Sequence, residues 1–386
     1  MAKILKHIEA SFEIVTPSFA GDADKNRAKF RLSSINGLLR YWFRAVAWPE
    51  YEDLNKVKEA ELNVFGGAGS ETNTKKHAFR LRAIKTAIRG YYSPQSQFDQ
   101  KNKLSGINYL AGQGCIHFRN GLQRAAIKEN SHFILKLQFI RPVEEKEFNL
   151  LLKAIKCLGL IGGVGSRTRR GFGSLVLQYL KVNDQTAWQA PQNVEEYKSM
   201  LAELLKANND TLPDYTALSK KIEWKIITLQ NNNTWQNALD EIGKQFLRFR
   251  SYGRHGKLPW GEKAKQRFSN DHDLVYNFCQ GKKPDKNATA PERVAFGLPH
   301  NYFFSSLGPN GRVKVTGTQS ERRASPLFIH IHKINNKYYP VVVFIPARFL
   351  PDREQICLKG KRKTSLPLPL NLYQPIKEFL KTLPAL

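Results

Sequence analysis

Acidic residues are scarce in this chain: 386 residues hold 61 Lys+Arg against 33 Asp+Glu, a formal net charge of +28. Cysteine is sparse too, and Cys115, Cys157, Cys279 and Cys357 include no C-x-x-C pair. That spacing supports neither a zinc module nor a disulfide framework and fits a reducing cytoplasm. Long apolar runs are missing. Val341 to Pro346 falls far short of the ~20 residues a bilayer crossing requires. The start, MAKILKHIEASFEIV, is broken by Lys6, His7 and Glu9 before an apolar core can form, so no secretory signal is expected. No G-x-x-x-x-G-K-[ST] loop is present, and neither a metal nor a cofactor is expected.

Positive charge and aromatic rings are plentiful. With 23 Phe, 14 Tyr, 6 Trp and 41% apolar residues the chain can build real cores, and its length predicts two domains. A compact body at +28 repels itself unless a polyanion neutralises it. Nucleic acid is the leading partner; a membrane surface would call for a basic amphipathic helix or a lipidation motif, and neither is found. Acids are missing locally as well. None occurs from Thr72 to Gly90, from Phe148 to Asn183 or from Ile242 to Gly261, while they crowd into Glu50 to Glu61 and Glu195 to Asp214. This predicts one basic face and a more neutral back.

The pattern reads as α+β. Ile4 to Val15 is a predicted strand, followed by a helix over Ile35 to Val46, capped by Ser33 or Ser34 and stopped at Trp48-Pro49. Phe79 to Ile88 and Ser131 to Ile140 are strands, Glu145 to Leu158 a helix ended by Gly159 to Gly163, and Phe172 to Lys181 a strand. The order β-α-β-β-α-β is a ferredoxin-like split unit, with insertions at 51–76 and 90–130 whose roles stay open. After a connector, with a helix over Val194 to Ala207, the pattern restarts. Ile222 to Leu229 is a strand, Thr234 to Arg250 a capped helix, and Val313 to Thr316 a short strand. Pro326 to Ile334 and Tyr338 to Ile345 form a hairpin turned by Asn335-Asn336, and Pro375 to Thr382 is the last helix. The expected organisation is two tandem ferredoxin-like (RRM-like) domains, 1–182 and 219–386, joined by 183–218.

Two segments carry most of the chemistry. Gly162 to Gly173, GGVGSRTRRGFG, has five glycines and three arginines in twelve positions. Gly163 and Gly165 let backbone approach a phosphate, with Ser166, Arg167, Arg169 and Arg170 as donors. The second segment is NRAKFRLSSINGLLRYWFRA. Asn36, Arg40 and Arg44 share a helical stripe, Gly37 opens the first turn, and Arg27 and Arg31 lead into it. Further phosphate contacts are expected from Arg250, Arg254 and Lys257 beside Gly253 and Gly256, and from Arg322 and Arg323. His330 and His332 share a strand face with Phe328 on which a base could stack, unless a helix covers it.

Together, TPSFAGDADKNRAKFRLSSINGLLRYWFRA, the GGVGSRTRRGFGS arm, FGLPHNYFFSS and ERRASPLFIHIHKI resemble the RAMP superfamily, and within it the subunit-one family of Cmr-type (type III-B) CRISPR effectors. The resemblance spans both halves of the chain. It implies two ferredoxin-like domains, assembly with other Cmr subunits in a ribonucleoprotein, and contact with the 3′ part of a guide RNA and with single-stranded target RNA, without RNA cleavage.

The competing reading is a metal-independent guide-processing endoribonuclease of the same superfamily, for which His7 and His77 are the best placed residues; neither has a partner His, Lys or Tyr at a telling spacing. A general RNA chaperone is a third. His272-Asp273 lacks the second cluster a metal phosphohydrolase needs. A basic face that neutralises about six to ten phosphates predicts a log–log salt slope of about −4 to −7 for single-stranded RNA. A slope near −1, measured by titration at several salt concentrations, contradicts it.

Overall fold

The structure is a computed structural model that describes residues 6–67, 75–98, 105–117 and 120–385. The first half opens with β1 (His7–Ile14), α1 (Leu32–Tyr51), α2 (Leu54–Phe65) and β2 (Phe79–Ala87). Four two-residue strands, β3 (Tyr91–Tyr92), β4 (Ile116–His117), β5 (Gly121–Leu122) and β6 (Ala126–Ile127), surround α3 (Ser105–Ala111). Next come β7 (Ser131–Phe139), α4 (Glu145–Leu160), β8 (Leu175–Val182), β9 (Gln185–Gln189) and α5 (Val194–Leu205). One five-stranded antiparallel sheet, in the order β2-β7-β1-β8-β9, organises this half. Alternate residues of β1 and β7, among them Phe12, Phe133 and Leu135, point inward under α1 and α4 and build the largest core.

Two boundaries differ from expectation for local reasons. Helix α1 starts at Leu32, so Ser33 and Ser34 lie inside it and cap nothing, and it continues through Pro49. Proline has no N–H for the Ala45 carbonyl, and that carbonyl instead accepts from the backbone of Leu218, 2.9 Å away. Helix α4 runs past Gly159, where a Cβ would sit 2.8 Å from the Leu177 nitrogen; glycine there lets the helix lie directly on β8.

Segment 183–218, expected as a connector, carries β9 on the edge of the first sheet and α5 against α4. The 51–76 insertion supplies α2, capped by Asp53. The 90–130 insertion supplies α3, which packs on the second half of the chain: the Asp240 carboxylate accepts from the Gly106 and Ile107 nitrogens at 2.8 and 3.2 Å.

The second half contains β10 (Glu223–Ile226), α6 (Trp235–Arg250), α7 (Ser269–Cys279), β11 (His300–Phe303), β12 (Arg312–Gly317), β13 (Leu327–Ile334), β14 (Lys337–Phe344), β15 (Ile356–Lys359), β16 (Lys363–Leu366) and α8 (Gln374–Thr382). Its sheets are β10-β14-β13 and β11-β12-β15-β16. Thr234 caps α6 as expected, its hydroxyl accepting from the Asn237 nitrogen at 3.1 Å. Asn335 and Asn336, at φ 48° and 62°, make the tight turn of the β13–β14 hairpin. Near the end of the chain Ala385 bridges to Ile227 beside β10, in the place a fourth strand would take.

The β10-β14-β13 sheet is covered on both faces. Ile329, Ile331, Val342 and Phe344 pack with α6 and α8, while Phe328 faces Trp42 of α1 with ring centroids 5.8 Å apart. Of the two readings of His330 and His332, the helix-covered face therefore holds and the base-stacking one does not. They are 1% and 0% exposed: His330 Nδ1 lies 3.1 Å from the Gly162 carbonyl, and His332 stacks on Tyr197 of α5 at 3.8 Å. Burial holds both imidazoles neutral, pulling His330 down to about 3 and His332 down as well. The unfolded chain binds protons at these positions from about pH 6.5 downward and the folded one does not, so stability present above that pH is lost as pH falls. The unfolding free energy should drop by up to about 1.4 kcal/mol per pH unit for each histidine between pH 6.5 and 4.5. Urea melts across that range check it, and His330→Asn should flatten the slope.

Candidate nucleic-acid interface

The glycine-rich arm lies between the two halves. Its glycines do make close backbone approaches, but to the protein itself. A Cβ at Gly165 (φ 100°) would stand 2.8 Å from the Ala20 nitrogen, and one at Gly173 (φ 61°) would collide with the Val164 carbonyl. Gly163 pairs with Ser174, and Ser166 bonds the Phe19 carbonyl through its nitrogen at 3.1 Å. Gly163, Gly165 and Ser166 thus serve to fold the arm; the expectation that they cradle phosphate is replaced by this internal contact.

The arginines divide. The Arg169 guanidinium donates to the Ser325 carbonyl, to the Tyr41 hydroxyl at 3.0 Å and to Thr216 Oγ1 at 3.3 Å, and it stands 4.5 Å over the Phe328 ring. It is a staple between the halves. Arg323 is also tied internally, donating to the Asp214 carbonyl of the 183–218 segment and to the Arg348 carbonyl of its own half. Arg40 and Arg44 converge on one buried carboxylate, Glu61 of α2: Arg40 Nε donates to Oε1 at 2.7 Å and Arg44 Nη1 at 3.0 Å. That acid lies in the insertion left open above, so the stripe expected to face RNA is an internal ion pair with partly exposed edges.

A cleft of about 770 Å³ opens where the arm, α3, α6 and the loops before β11 and β13 meet. Arg167, Arg169, Arg170, Arg250, Arg322 and Arg323, all expected on sequence, line it together, and no carboxylate is among the described lining residues. Arg167 and Arg322 are exposed at its mouth. Arg170 and Arg250 sit deeper, against the Phe246 ring at 4.8 and 4.9 Å. Arg170 Nη1, Arg250 Nε and the nearby Arg293 Nε are shielded from solvent with no hydrogen-bond partner. Burial, reinforced by Arg250, pulls the Arg170 guanidinium down to about 9, so it stays charged at neutral pH. His300 at the cleft edge is driven down to about 3 by burial and then by the surrounding arginines. Among the described lining residues Arg170 and Arg250 have no carboxylate partner, and an anion with several acceptor oxygens would complete them.

Sequence reasoning missed Tyr109, Arg293 and His300. Tyr109 lies in the 90–130 insertion and bonds Arg250 Nη1 at 3.1 Å. His300 lies within FGLPHNYFFSS, where its spacing assigns it no role. Arg254 and Lys257 are exposed and pair through their backbones in a turn outside the cleft. Arg27 and Arg31 meet Asp24 and Asp22, and the start of α1 beside them has no side-chain cap. Gly37 has open space around it, one turn before the Tyr41 that Arg169 holds. Asn36 Oδ1 is buried there without a partner. Of the histidines considered for catalysis, His7 is held by Asp184 at 3.0 Å, His77 packs edge-on to Phe79, and neither lines the cleft. His272 stacks on Tyr252 at 4.0 Å.

Residues 11–176 match the model of the RAMP superfamily. The CRISPR system Cmr subunit Cmr1-1 of Pyrococcus furiosus is 24% identical over 341 residues, covering 83% of this chain and 82% of the relative. The Cmr1-2 subunit of the same organism is 26% identical over 189 residues, 45% of this chain. Among solved structures, apo Cmr1 from Pyrococcus furiosus is similar over 96% of both chains, with TM-score 0.54 and 18% identity. A chain of type III-B Cmr-beta bound to cognate target RNA is similar over 98% of this chain and 99% of its own, with TM-score 0.51 and 14% identity. Residues 11–176 of the chain are thus similar to the RAMP superfamily, and the curated relatives it resembles are Cmr1 subunits.

Proposed function

We propose that this chain is a non-catalytic RNA-binding subunit of a type III-B (Cmr) CRISPR ribonucleoprotein acting in antiviral defence in the cytoplasm. It holds single-stranded RNA, the 3′ part of the guide and the target, through phosphates in the cleft between its halves, alongside other Cmr subunits. The observation that carries this reading is the pair of shielded guanidinium atoms of Arg170 and Arg250 in a cleft with no carboxylate among its described lining residues. Leaving each such donor unpaired costs about 1–3 kcal/mol, which a phosphate would restore. The relatives named Cmr1 and the likeness to Cmr-beta bound to target RNA support the assembly. We include in this proposal the start of helix α1, which has no side-chain cap, with Arg27, Arg31, Asn36 and Gly37 as further contacts.

The architecture is read as two ferredoxin-like units, 1–182 and 219–386, bridged by 183–218. Strand order supports it: β8-β1-β7-β2 in the first, and the chain end, β10, β14, β13 in the second, are the same permutation. A binding role without cleavage is favoured by His300, whose imidazole at about 3 is too weak a base to take a proton from a ribose hydroxyl.

The double variant Arg170→Gln/Arg250→Gln should weaken mixed-sequence single-stranded RNA about 10- to 100-fold, equally for all sequences, and flatten the salt slope by about 1.4. Its thermal midpoint should not fall, because the lost cations repel each other. Anisotropy titrations and a thermal melt read both. Unchanged affinity and slope would overturn the cleft assignment, and metal-independent cleavage of repeat RNA by the parent protein would overturn the non-catalytic role.

A further inference from the structure

The sheet β11-β12-β15-β16 has an outer face that the cleft does not use. Val313, Val315, Ile356 and Leu358 fill its inner side. Cross-strand partners share a side, so the registers Phe303 to Arg312 and Asn301 to Lys314 to Lys359 to Lys363 put these residues on the other. A row of three lysines thus crosses three strands, next to an arginine and a phenylalanine that is 61% exposed. The Arg312 guanidinium lies 5.4 Å from the Phe303 ring centroid. Glu321 is the acid in reach, 3.4 Å from Lys314 and 3.6 Å from Lys359, and one carboxylate among four cations leaves the face positive.

One exposed apolar side chain needs no explanation by itself. The setting of Phe303 does. A face that docks a protein has an apolar centre, whereas here one aromatic ring stands among cations, the arrangement that stacks a base and neutralises phosphates. The face is also continuous with the cleft. Edge strand β11 begins at His300 on the cleft wall, and Phe303 follows about 10 Å along the same strand.

We propose that the outer face of this sheet is a second contact surface for the same single-stranded RNA, with a base stacked on Phe303 and the adjoining phosphates on Arg312 and the Lys314, Lys359, Lys363 row. This rests on the cleft being the RNA site, and the strand leaving it passes over the lip formed by β11. The test is anisotropy with the full chain and two RNAs, one short enough to be held by the cleft alone and one long enough to leave it. Phe303→Ala should weaken the long RNA about 5- to 100-fold and leave the short one unchanged, Phe303→Tyr should bind both like the parent, and an abasic nucleotide at the stacking position should remove the difference. Because Phe303 is exposed, the thermal midpoint should stay the same. If Phe303→Ala binds the long RNA like the parent while Arg170→Gln/Arg250→Gln loses both, the sheet-face proposal falls and the cleft stands. If the cleft variant keeps both RNAs while Phe303→Ala loses one, the cleft reading fails instead. Release of the chain from its assembled complex by Phe303→Ala with RNA affinity intact would assign the face to a protein partner and overturn the proposal.

Discussion

One strip of backbone, residues 162–174, is bonded to both halves of the chain. On one side Val164 and Gly173 bond each other at 2.9 Å, while the Thr16 and Ser18 hydroxyls donate to the Gly171 and Val164 carbonyls at 2.6 Å. On the other, the Ile329 nitrogen donates to the Arg169 carbonyl at 3.1 Å and the Ile331 nitrogen to Ser174 Oγ, also at 3.1 Å. Buried backbone groups must be paired, and here they can be paired only because side chains are missing where the strands touch. The glycines therefore do for the protein what they could have done for a phosphate. Their consequence for function is indirect: with the arm fixed to both halves, the arginines between them have nowhere to go but the seam.

At the seam, partners decide which arginine is structural. Arg40, Arg44, Arg169 and Arg323 find acceptors inside the protein, and their charge is satisfied before any ligand arrives. Arg170 and Arg250 find aromatic rings and one phenol, with donor atoms left over. A few unpaired buried donors at about 1–3 kcal/mol each are a large share of the 5–15 kcal/mol by which a domain is stable. Such a defect is tolerated where binding removes it, and a ligand that binds only the folded state returns the stability by mass action.

Much of this architecture was legible in the sequence, and what was not has physical causes. The Thr234 cap, the Asn335-Asn336 turn and the β1, β2, β7 and β8 strands rest on neighbours in the chain, so local pattern was enough. Helix α1 crosses Pro49 because Leu218, far along the chain, occupies the orphaned carbonyl. The insertions hid Glu61 and Tyr109, and with them the reasons why Arg40 is tied up and Arg250 is held. His330 and His332 read as one face of a strand, correctly, but periodicity does not say whether solvent or another helix lies opposite; Tyr197 of α5 does. Acid-free windows located four arginines of the cleft, Arg167, Arg169, Arg170 and Arg250, without showing that distant segments bring them together with Arg322 and Arg323.

The composition of the cleft also limits what it can read. Guanidinium groups are donors, and the rings beside them, Phe246 and Phe296, are already covered by Arg170 and Arg250. A base edge needs acceptors and donors in a fixed pattern and a free face to stack on; a phosphate needs only charge and several N–H groups. Under the proposed reading such a wall would grip the backbone and be indifferent to sequence. In an assembly guided by RNA, sequence is read by base pairing, and a subunit that discriminated among bases would narrow the guides it could carry. Indifference to sequence is therefore the property such a subunit needs, and a cleft of arginines with no carboxylate among its described lining residues would suit it.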